Sequence, residues 1–393
     1  MAKLLRPLPI RTDGSNAFAS HTMRVRVPAI LDDVLTANPD FPQQIRDSIC
    51  ALRDGMLANE PVPVLEPPAP DYDEWSAAHA ARDGHTWLNT DWFWAETFTY
   101  RLLMEAVRWW EFGRDPFIPH KRDEMANEEL WHLLEETLSL REKPPAARLP
   151  ALLRAALWGN RIDLSYMVSA AHGRAGDEDD LLVDDGAAAV AHLLAAPGSV
   201  HVVADNAGTE LAMDLALIDT LLEGIATRVI LHLKMHPTYV SDAIPHDVLV
   251  FLDRLDTRRT TRSLADRLRA HLESGRLRLA PDLFWNSSQP QWAAPPRLAA
   301  AFQDARLVIF KGDANYRRLV GDALWPEETP FAAVTGYFPA PLAALRTMKS
   351  DAVVGLPDGL ADRLDAGVDR DTWRNTGRHG LIQFRATGDS GGW

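Results

Sequence analysis

Residues 199–214 read SVHVVADNAGTELAMD, and this stretch decides the predicted fold. Its β-branched run, Val200–Ala204, follows a proline and a glycine and is typical of a buried strand. From Thr209 onward the apolar residues recur at helical spacing, so a tight turn and a helix follow the strand. Asp205 and Asn206 therefore lie at the carboxyl end of a strand, where open α/β sheets bind their ligands. The stretch predicts a site for a hard cation, or for a phosphate at the helix N-terminus.

The composition is that of a folded, acidic chain. Its 393 residues are 46% hydrophobic, enough for a large core in one or two domains. A formal net charge of −14 argues against general binding to nucleic acid or to anionic membranes, although a local basic patch stays open. Cys50 is the only cysteine, which suits a reducing compartment. The N-terminus lacks a secretory apolar core, and no apolar run approaches the roughly 18 residues that span a bilayer. We expect a soluble, cytoplasmic protein, and the sequence leaves its oligomeric state open.

The acidic loop at residues 174–185 is the predicted boundary between two regions. We predict an N-terminal helical region over 1–185 and an α/β metal-binding catalytic domain over 186–393. Strands that alternate with helical patterns favour a mostly parallel sheet with helices on both faces. The acidic cluster itself is typical of a solvated loop rather than a metal site. The predicted strands are Val200–Ala204, Arg228–Lys234, Leu277–Ala280, Leu307–Phe310, Asp351–Gly355 and Leu381–Phe384.

A tryptophan-rich segment dominates the first half of the chain. Between Asp91 and Trp110 the apolar residues recur at helical spacing. Two charged residues, Glu96 and Arg101, lie within this pattern. We favour a packed helix whose charged residues face solvent or pair locally. The alternative is that Glu96 or Arg101 points into a cleft.

A second polar cluster follows the second predicted strand. Asp242 could simply cap the next helix, or it could join Asp205 and Asn206 at the same sheet edge. Three oxygen ligands with open positions for water and phosphate are the pattern of Mg²⁺ or Mn²⁺. We interpret the neighbouring His232 and His236 as core or surface residues rather than ligands.

The fourth predicted strand ends in FKGDANYRRL, residues 310–319, with the same order of strand, glycine turn and polar cluster. Lys311, Arg317 and the loop N–H groups can bind a phosphoryl group, and Asp313 and Asn315 can contact sugar hydroxyls. An isolated turn of this kind is common, so its position at a strand exit carries the interpretation.

Lys349 stands just before the fifth predicted strand. Alone it reads as an ordinary surface lysine. Beside a metal and phosphate site it becomes a second cation for the transferred group.

Five motifs in this order resemble the damage-control phosphatases, a family of metal-dependent proteins, and the likeness runs from about residue 20 to about 385. The motifs are LWGNxxDLS at 157–165, DNAGxE at 205–210, VSD at 240–242, FKGDxNYR at 310–317 and RTxK at 346–349. The last of them, RTxK, is similar to the motif of the stand-alone subfamily of sugar-phosphate phosphatases and acidic-residue methyltransferase proteins.

The resemblance implies an N-terminal helical region packed on a three-layer α/β/α domain. It implies hydrolysis of sugar phosphomonoesters such as fructose 1-phosphate or fructose 6-phosphate in metabolite damage control, with a divalent metal (Mn, Mg, Co or Ni). The implied metal ligands are Asp205, Asn206 and Asp242, and the implied catalytic residues are Asp205, Asp242 and Lys349. The implied substrate contacts are Asp205, Asn206, Glu210, Asp313, Ala314, Asn315, Tyr316, Arg317 and Lys349.

We predict metal-assisted attack by water, because no predicted strand ends in the D-x-D motif of aspartyl-phosphate enzymes. Lys349 and Arg317 would then stabilise charge on the equatorial phosphoryl oxygens. Two alternatives remain. Some relatives are assigned S-adenosylmethionine-dependent methylation of protein glutamates, at positions matching Asp205, Glu210 and Asp242, although no G-x-G-x-x-G motif follows a strand here. The other alternative is a non-catalytic sugar-phosphate binder.

Overall fold

A seven-stranded sheet organises the computed structural model, which describes residues 5–159, 180–370 and 372–386. The strand order is β1-β7-β6-β5-β2-β3-β4. The strands β2 to β6 run parallel, whereas β7 is antiparallel to β6 and β1 pairs parallel with β7. This mostly parallel sheet confirms the predicted α/β fold class. The strands are β1 (Leu181–Asp184), β2 (Gly198–Val203), β3 (Ala226–Lys234), β4 (Leu277–Asp282), β5 (Ala305–Lys311), β6 (Leu342–Thr347) and β7 (Gly380–Arg385).

Helices cover both faces of the sheet. Before β1 the α-helices are Ala17–His21, Val27–Ala37, Gln43–Leu57, Tyr72–Ala80, Trp92–Ala106, Trp109–Phe112, Ile118–Ala126, Glu128–Ser139 and Pro145–Trp158, with a π-helical turn at Thr22–Arg26 and a 3₁₀ turn at Leu140–Glu142. After β1 the α-helices are Gly186–Ala195, Thr209–Leu222, Pro245–Asp256, Arg262–Glu273, Pro296–Phe302, Gly312–Val320, Phe331–Val334 and Leu360–Asp365, with 3₁₀ turns at Leu283–Asn286 and Gln291–Ala293. Among the described residues, none of the helices combines the length and the apolar character needed to cross a membrane.

Two hydrophobic cores lie on the two faces of the sheet, and the alternating side chains of β2 contribute to both. Val200 and Val202 belong to one core, where they meet the helices Pro145–Trp158 and Thr209–Leu222. Val203, on the opposite face, belongs to the other core. A strand that is buried on both faces reads as a nearly continuous apolar run, which is why β2 was visible in the sequence.

The tryptophan-rich helix Trp92–Ala106 packs into the same core as β2 and β5. Trp92 and Trp94 are each 2% exposed, which confirms the predicted buried helix. Arg101 forms an ion pair with Glu105 on its own helix and a second one, at 2.7 Å, with the distant Asp71. The division at 185/186 stays a prediction, and β1 lies just before it.

One predicted strand is wrong. Asp351–Gly355 is irregular, and the strand at this point of the chain is β6, Leu342–Thr347. The Leu-Ala-Ala-Leu start of β6 favours a helix by propensity, but its burial between β5 and β7 overrides that preference. In the irregular segment the carbonyl of Val354 accepts from Gln383 Nε2 at 2.7 Å, and the N–H of Val354 donates to the Tyr316 hydroxyl at 3.2 Å. Side chains therefore take the place of the neighbouring strand that the sequence pattern predicted.

Candidate active site

A cavity of about 150 Å³ lies at the carboxyl edge of the parallel strands. The loops after β2, β3, β5 and β6 all reach it, because these strands are parallel neighbours in the sheet. Lys349 therefore follows a strand, and our placement of it before one is wrong. The structure brings together seven residues that we predicted for the site: Asp205, Asn206, Asp242, Asp313, Ala314, Arg317 and Lys349. Five lining residues were not in that set: Arg26, Trp92, Glu96, Tyr239 and Ser241.

The loops after β2 and β3 are tied together by their backbones. Asn206 and Asp242 form an isolated antiparallel bridge. The N–H of Ala243 donates to the carbonyl of Asp205 at 2.8 Å, and the N–H of Ala207 donates to the carbonyl of Ser241 at 2.6 Å. The two carboxylates and the amide that we predicted as metal ligands thus stand on adjoining backbones.

The side-chain amide of Asn206 is held by three hydrogen bonds. Its Nδ2 donates to Asp205 Oδ2 at 3.0 Å and to Glu210 Oε1 at 2.9 Å. Its Oδ1 accepts from Ser241 Oγ at 2.7 Å. These contacts fix the amide plane, so the direction of Oδ1 is set before any ligand arrives.

The electrostatics of this edge favour a bound cation. Burial raises the pKa of Asp205 well above its ordinary value, and the nearby negative charges of Glu210 and Asp242 raise it further. The pKa of Asp242 is also raised, because the effect of burial outweighs the opposing charge of the Lys234 ammonium. Asp242 Oδ2 has only that ion pair, at 3.2 Å, and accepts no hydrogen bond of good geometry from the residues described. Crowded, buried acids with an unsatisfied oxygen are what a cation relieves.

The donor set is one of hard oxygens. Across the part of the chain that the structure describes, no three His, Cys, Asp or Glu side chains are grouped in a way that could hold a metal ion. A cation at this edge would therefore be held by the carboxylates of Asp205 and Asp242 together with the amide oxygen of Asn206. That set fits Mg²⁺ or Mn²⁺.

A buried lysine that the sequence did not reveal supports the loop after β3. Lys121 donates to Asp115 at 2.9 Å, to Asp247 at 2.7 Å and to the carbonyl of Asp242 at 3.2 Å. The loop needs this support because Tyr239 has a positive φ of 47°, which side chains rarely adopt. Lys121 thus fastens the backbone that presents Asp242.

Two glycines allow close approaches at the site. Gly312, with φ +80°, lies so near Asp205 that a Cβ there would meet Asp205 Oδ2 at 1.9 Å. A Cβ on Gly208 would meet the Glu124 carboxyl group at 2.2 Å. That carboxylate accepts from the N–H of Thr209 at 2.8 Å. Glu124 therefore occupies the helix end where the sequence suggested a phosphate.

Asp313 connects the loop after β5 to the loop after β6. Its Oδ1 accepts from Arg346 Nε at 2.8 Å, from the N–H of Lys349 at 3.1 Å and from Ser350 Oγ at 3.0 Å. Burial raises the pKa of Asp313, but the charges of Arg346 and Arg317 outweigh it and leave the pKa lowered. Asp313 lines the cavity and also positions the backbone of Lys349.

Three predicted substrate contacts do not reach the cavity wall. Asn315 is fully buried and donates to the carbonyls of Ala204 at 3.0 Å and Lys311 at 2.8 Å. Tyr316 donates to Gln383 Oε1 at 2.9 Å. Glu210 accepts from Asn206 and is not on the wall. Apart from Asn315 Oδ1, which is buried and accepts no hydrogen bond from the described residues, their polar groups contact neighbouring backbone and side chains, and none of the three lines the cavity.

Lys311 is likewise turned away from the cavity that we expected it to serve. Its ammonium donates to Asp214 at 2.7 Å, and both side chains are buried. The predicted phosphoryl contact of Lys311 is therefore wrong. Its partner is an acid on the helix Thr209–Leu222, which the sequence gave no reason to pair with it.

The helical half forms the opposite wall of the cavity. Glu96 Oε2 accepts from Arg317 Nη1 at 2.6 Å, and the Arg317 guanidinium lies 3.7 Å from the ring centroid of Trp92. Glu96 therefore points into the cleft, and our favoured interpretation is wrong for this residue. The local signal was a charged residue within an apolar helical pattern, and that signal does not say which way the side chain points. Arg26 ends the π-helical turn, a distortion often found at functional sites.

The histidines near the site agree with their predicted core role. His232 and His236 are 2% and 1% exposed. His232 Nε2 lies 2.9 Å from His201 Nδ1, and the two rings stack. Of the motif at 157–165, Leu157, Trp158 and Gly159 are described, and residues 160–165 lie outside the described residues, as do positions 174–179 of the acidic loop.

Comparison with known proteins gives a consistent set of matches. A family model described as the damage-control phosphatase ARMT1-like domain matches residues 22–364. Damage-control phosphatase ARMT1 of Mus musculus is 30% identical over 76% of this chain and 75% of the mouse protein. The protein of the same name from Danio rerio is 28% identical over 97% of both chains. A crystal structure of a DUF89 family protein from Pyrococcus horikoshii aligns with a TM-score of 0.45 and 17% identity, covering 84% of this chain and 92% of that one.

Proposed function

Because this chain belongs to the ARMT1-like damage-control phosphatase family, we propose that it hydrolyses sugar phosphomonoesters, of the fructose 1-phosphate or fructose 6-phosphate type. Family membership makes the chain a metal-dependent phosphatase of metabolite repair. The substrate, the identity of the metal and the role of each residue are our proposals. We also propose that it works in the cytoplasm, which its single cysteine suits.

One observation supports this function above the others: acids and cations line the same small cavity. Arg26, Arg317 and Lys349 carry positive charge there, against the four carboxylates of Asp205, Asp242, Glu96 and Asp313. With all four carboxylates counted as ionised, the formal charge of the wall is −1. With a divalent cation at Asp205, Asn206 and Asp242 it would become net positive by one, which suits a phosphate dianion.

The residues of the chain divide the work of hydrolysis between the two ends of the cavity. A divalent cation, when bound, supplies polarisation of a phosphoryl oxygen and lowers the pKa of a water molecule. Lys349, half-buried at the end of β6, stabilises the charge that develops on the equatorial oxygens. The Asp313 contact to the Lys349 backbone holds that lysine in place.

A phosphate-release screen tests this function. Fructose 1-phosphate, fructose 6-phosphate and other sugar phosphates are incubated with Mn²⁺, Mg²⁺, Co²⁺ or Ni²⁺, with a chelator as the control and without any methyl donor. We expect phosphate release that depends on the metal. No release with any metal, together with labelled methyl transfer from S-adenosylmethionine that survives chelator, would overturn the hydrolase.

A further inference from the structure

Glu96 presents an unused acceptor to the substrate cavity. The residue is 6% exposed and lines the cavity from the helical half. Its Oε2 accepts from Arg317 at 2.6 Å, with the Tyr239 hydroxyl at 3.5 Å. Its Oε1 accepts no hydrogen bond from the residues described. This oxygen is also not one of the fully buried side-chain atoms that lack a partner, so it remains accessible to solvent. One carboxylate oxygen is therefore anchored while the other faces open space in the cavity.

Arg317 does not require this second carboxylate. Asp322 already contacts the guanidinium through two hydrogen bonds, at 2.7 and 3.2 Å. Burial lowers the pKa of Arg317, but the charges of Asp322 and Glu96 outweigh it and leave the pKa raised. The guanidinium is thus neutralised from the side away from the substrate cavity, because Asp322 does not line that cavity. A second buried carboxylate costs desolvation that the ion pair alone does not explain.

We propose that Glu96 is the residue that selects hydroxylated substrates, with Oε1 accepting a hydrogen bond from a hydroxyl of the sugar. This inference rests on the proposed function and deepens it. The phosphate lies toward Lys349 at the sheet edge, and the polyol lies against the helical half. A substrate without a hydroxyl at that point leaves a charged oxygen desolvated and unpaired, which a site built for a hydroxyl rejects strongly.

The decisive variant is Glu96→Gln. Its amide oxygen can still accept from Arg317, while its NH₂ group now faces the cavity. The charged acceptor for the sugar O–H is then lost at constant size, and at most a weaker neutral hydrogen bond from the NH₂ group to the same hydroxyl replaces it. We expect kcat/KM for the better fructose phosphate to fall by about 10- to 100-fold. Hydrolysis of n-butyl phosphate, a primary phosphomonoester with no hydroxyl, should fall by less than about 3-fold or rise, since no hydrogen bond is lost.

Asp322→Asn is the matched control. It weakens the other anchor of Arg317 and leaves the cavity-facing oxygen of Glu96 untouched. Asparagine also tolerates the positive φ of 48° at this position. If the effect of Glu96 passes only through Arg317, this variant should lower kcat/KM for the fructose phosphate and for n-butyl phosphate by the same factor.

The outcomes separate this inference from the function it rests on. A parent enzyme that releases phosphate from neither substrate overturns both. A parent that hydrolyses both, with a folded Glu96→Gln that loses both equally, overturns the specificity role alone. If Glu96→Gln does not fold, as judged by circular dichroism, Glu96→Asp takes its place: it keeps the charge and withdraws the oxygen, and it should show the same selective loss.

Discussion

Replacing Gly312 by alanine should disable the site while the protein still folds, at reduced stability. The new Cβ would stand 1.9 Å from Asp205 Oδ2 and 2.1 Å from its Cγ, whereas ordinary contacts begin at 3.4 Å. Because Gly312 is backbone at the start of a helix, the carboxyl group must give way, by roughly 1.5 Å. A misplacement of about 1 Å in a reacting constellation costs about 100-fold in rate.

Gly113→Ala separates this effect from backbone strain. Gly113 also has a positive φ, +62°, but a Cβ there meets nothing within 4 Å. Gly113→Ala should lose about 1–2 kcal/mol of unfolding free energy, the cost of a left-handed conformation for alanine. Gly312→Ala should lose the same amount plus about 1–3 kcal/mol for the overlap with Asp205, whose Cβ would lie 2.7 Å from the new Cβ. The relocated carboxyl group should add a loss of about 100-fold or more in kcat/KM only in Gly312→Ala.

The assay combines urea unfolding with metal-dependent phosphate release at saturating Mn²⁺. We expect Gly113→Ala to keep the parental turnover, since its glycine lies at the end of the helix Trp109–Phe112 and lines no part of the cavity. A folded Gly312→Ala protein that retains a third or more of parental kcat/KM would refute the claim that the position of the Asp205 carboxyl group is critical for activity.

Four further outcomes are expected. Asp205→Ala and Asp242→Ala should each lower phosphate release by orders of magnitude, and chelator should abolish it in the parent, with no methyl donor required. Lys349→Ala should reduce kcat by about 100-fold while thermal unfolding stays within a few degrees, because its contact strengthens as charge develops. Trp94→Ala should cost about 3–5 kcal/mol of unfolding free energy, since the ring is 2% exposed. Burial lowers the pKa of His232 to about 3, so the folded state should lose stability as the pH falls from about 6.5 toward 3, and His232→Phe should flatten that acid limb in urea titrations.

Each of these expectations has a contrary result. Phosphate release that survives chelator or both aspartate substitutions would remove the metal from the reaction. Unchanged kinetics in a folded Lys349→Ala protein would remove that lysine from the site. A loss under about 1 kcal/mol for Trp94→Ala would mean that the ring behaves like an exposed one. Superimposable pH profiles for the parent and His232→Phe would show that this imidazole does not limit acid stability.

The sheet edge was predictable because its signals are local. Val200–Ala204 contains three β-branched residues out of five, and polar residues follow it directly. The convergence of Asp205 with Asp242 required only one more rule, that successive parallel strands end at the same edge. The sequence could not set the side-chain directions, and so it assigned Asn315 to the substrate although its amide bonds to backbone carbonyls.

The sequence-based assignments were wrong where tertiary packing outweighs local secondary-structure propensity. The start of β6, Leu342 to Leu345, is made of good helix formers, yet it lies between two strands in the core. Val353 and Val354 look like a strand, yet they form none. Lys349 was found through its motif, while the element that presents it was assigned wrongly.

The opposite wall of the cavity was hidden for a different reason. Glu96 and Arg317 are 221 positions apart, and no local sequence pattern predicts that they are in contact. Lys121 and Asp242 are separated by 121 positions. Such pairs depend on how the helical half packs over the sheet, which is a property of the tertiary structure alone.

The shared core of the helical half and the sheet bears on how the chain is made. Trp92 and Trp94 pack in one cluster with Val308 and Phe310, which leave the ribosome some two hundred residues later. During translation the part of this core that the sheet supplies is still missing, so the helix faces that pack on β5 stay exposed until that strand is made. A nascent chain paused before β5 would be a natural client for holdase chaperones, and slower elongation across β4 and β5 would lengthen that exposure. The demand that this protein places on a cell's folding machinery therefore follows from the same packing that places Glu96 in the cavity.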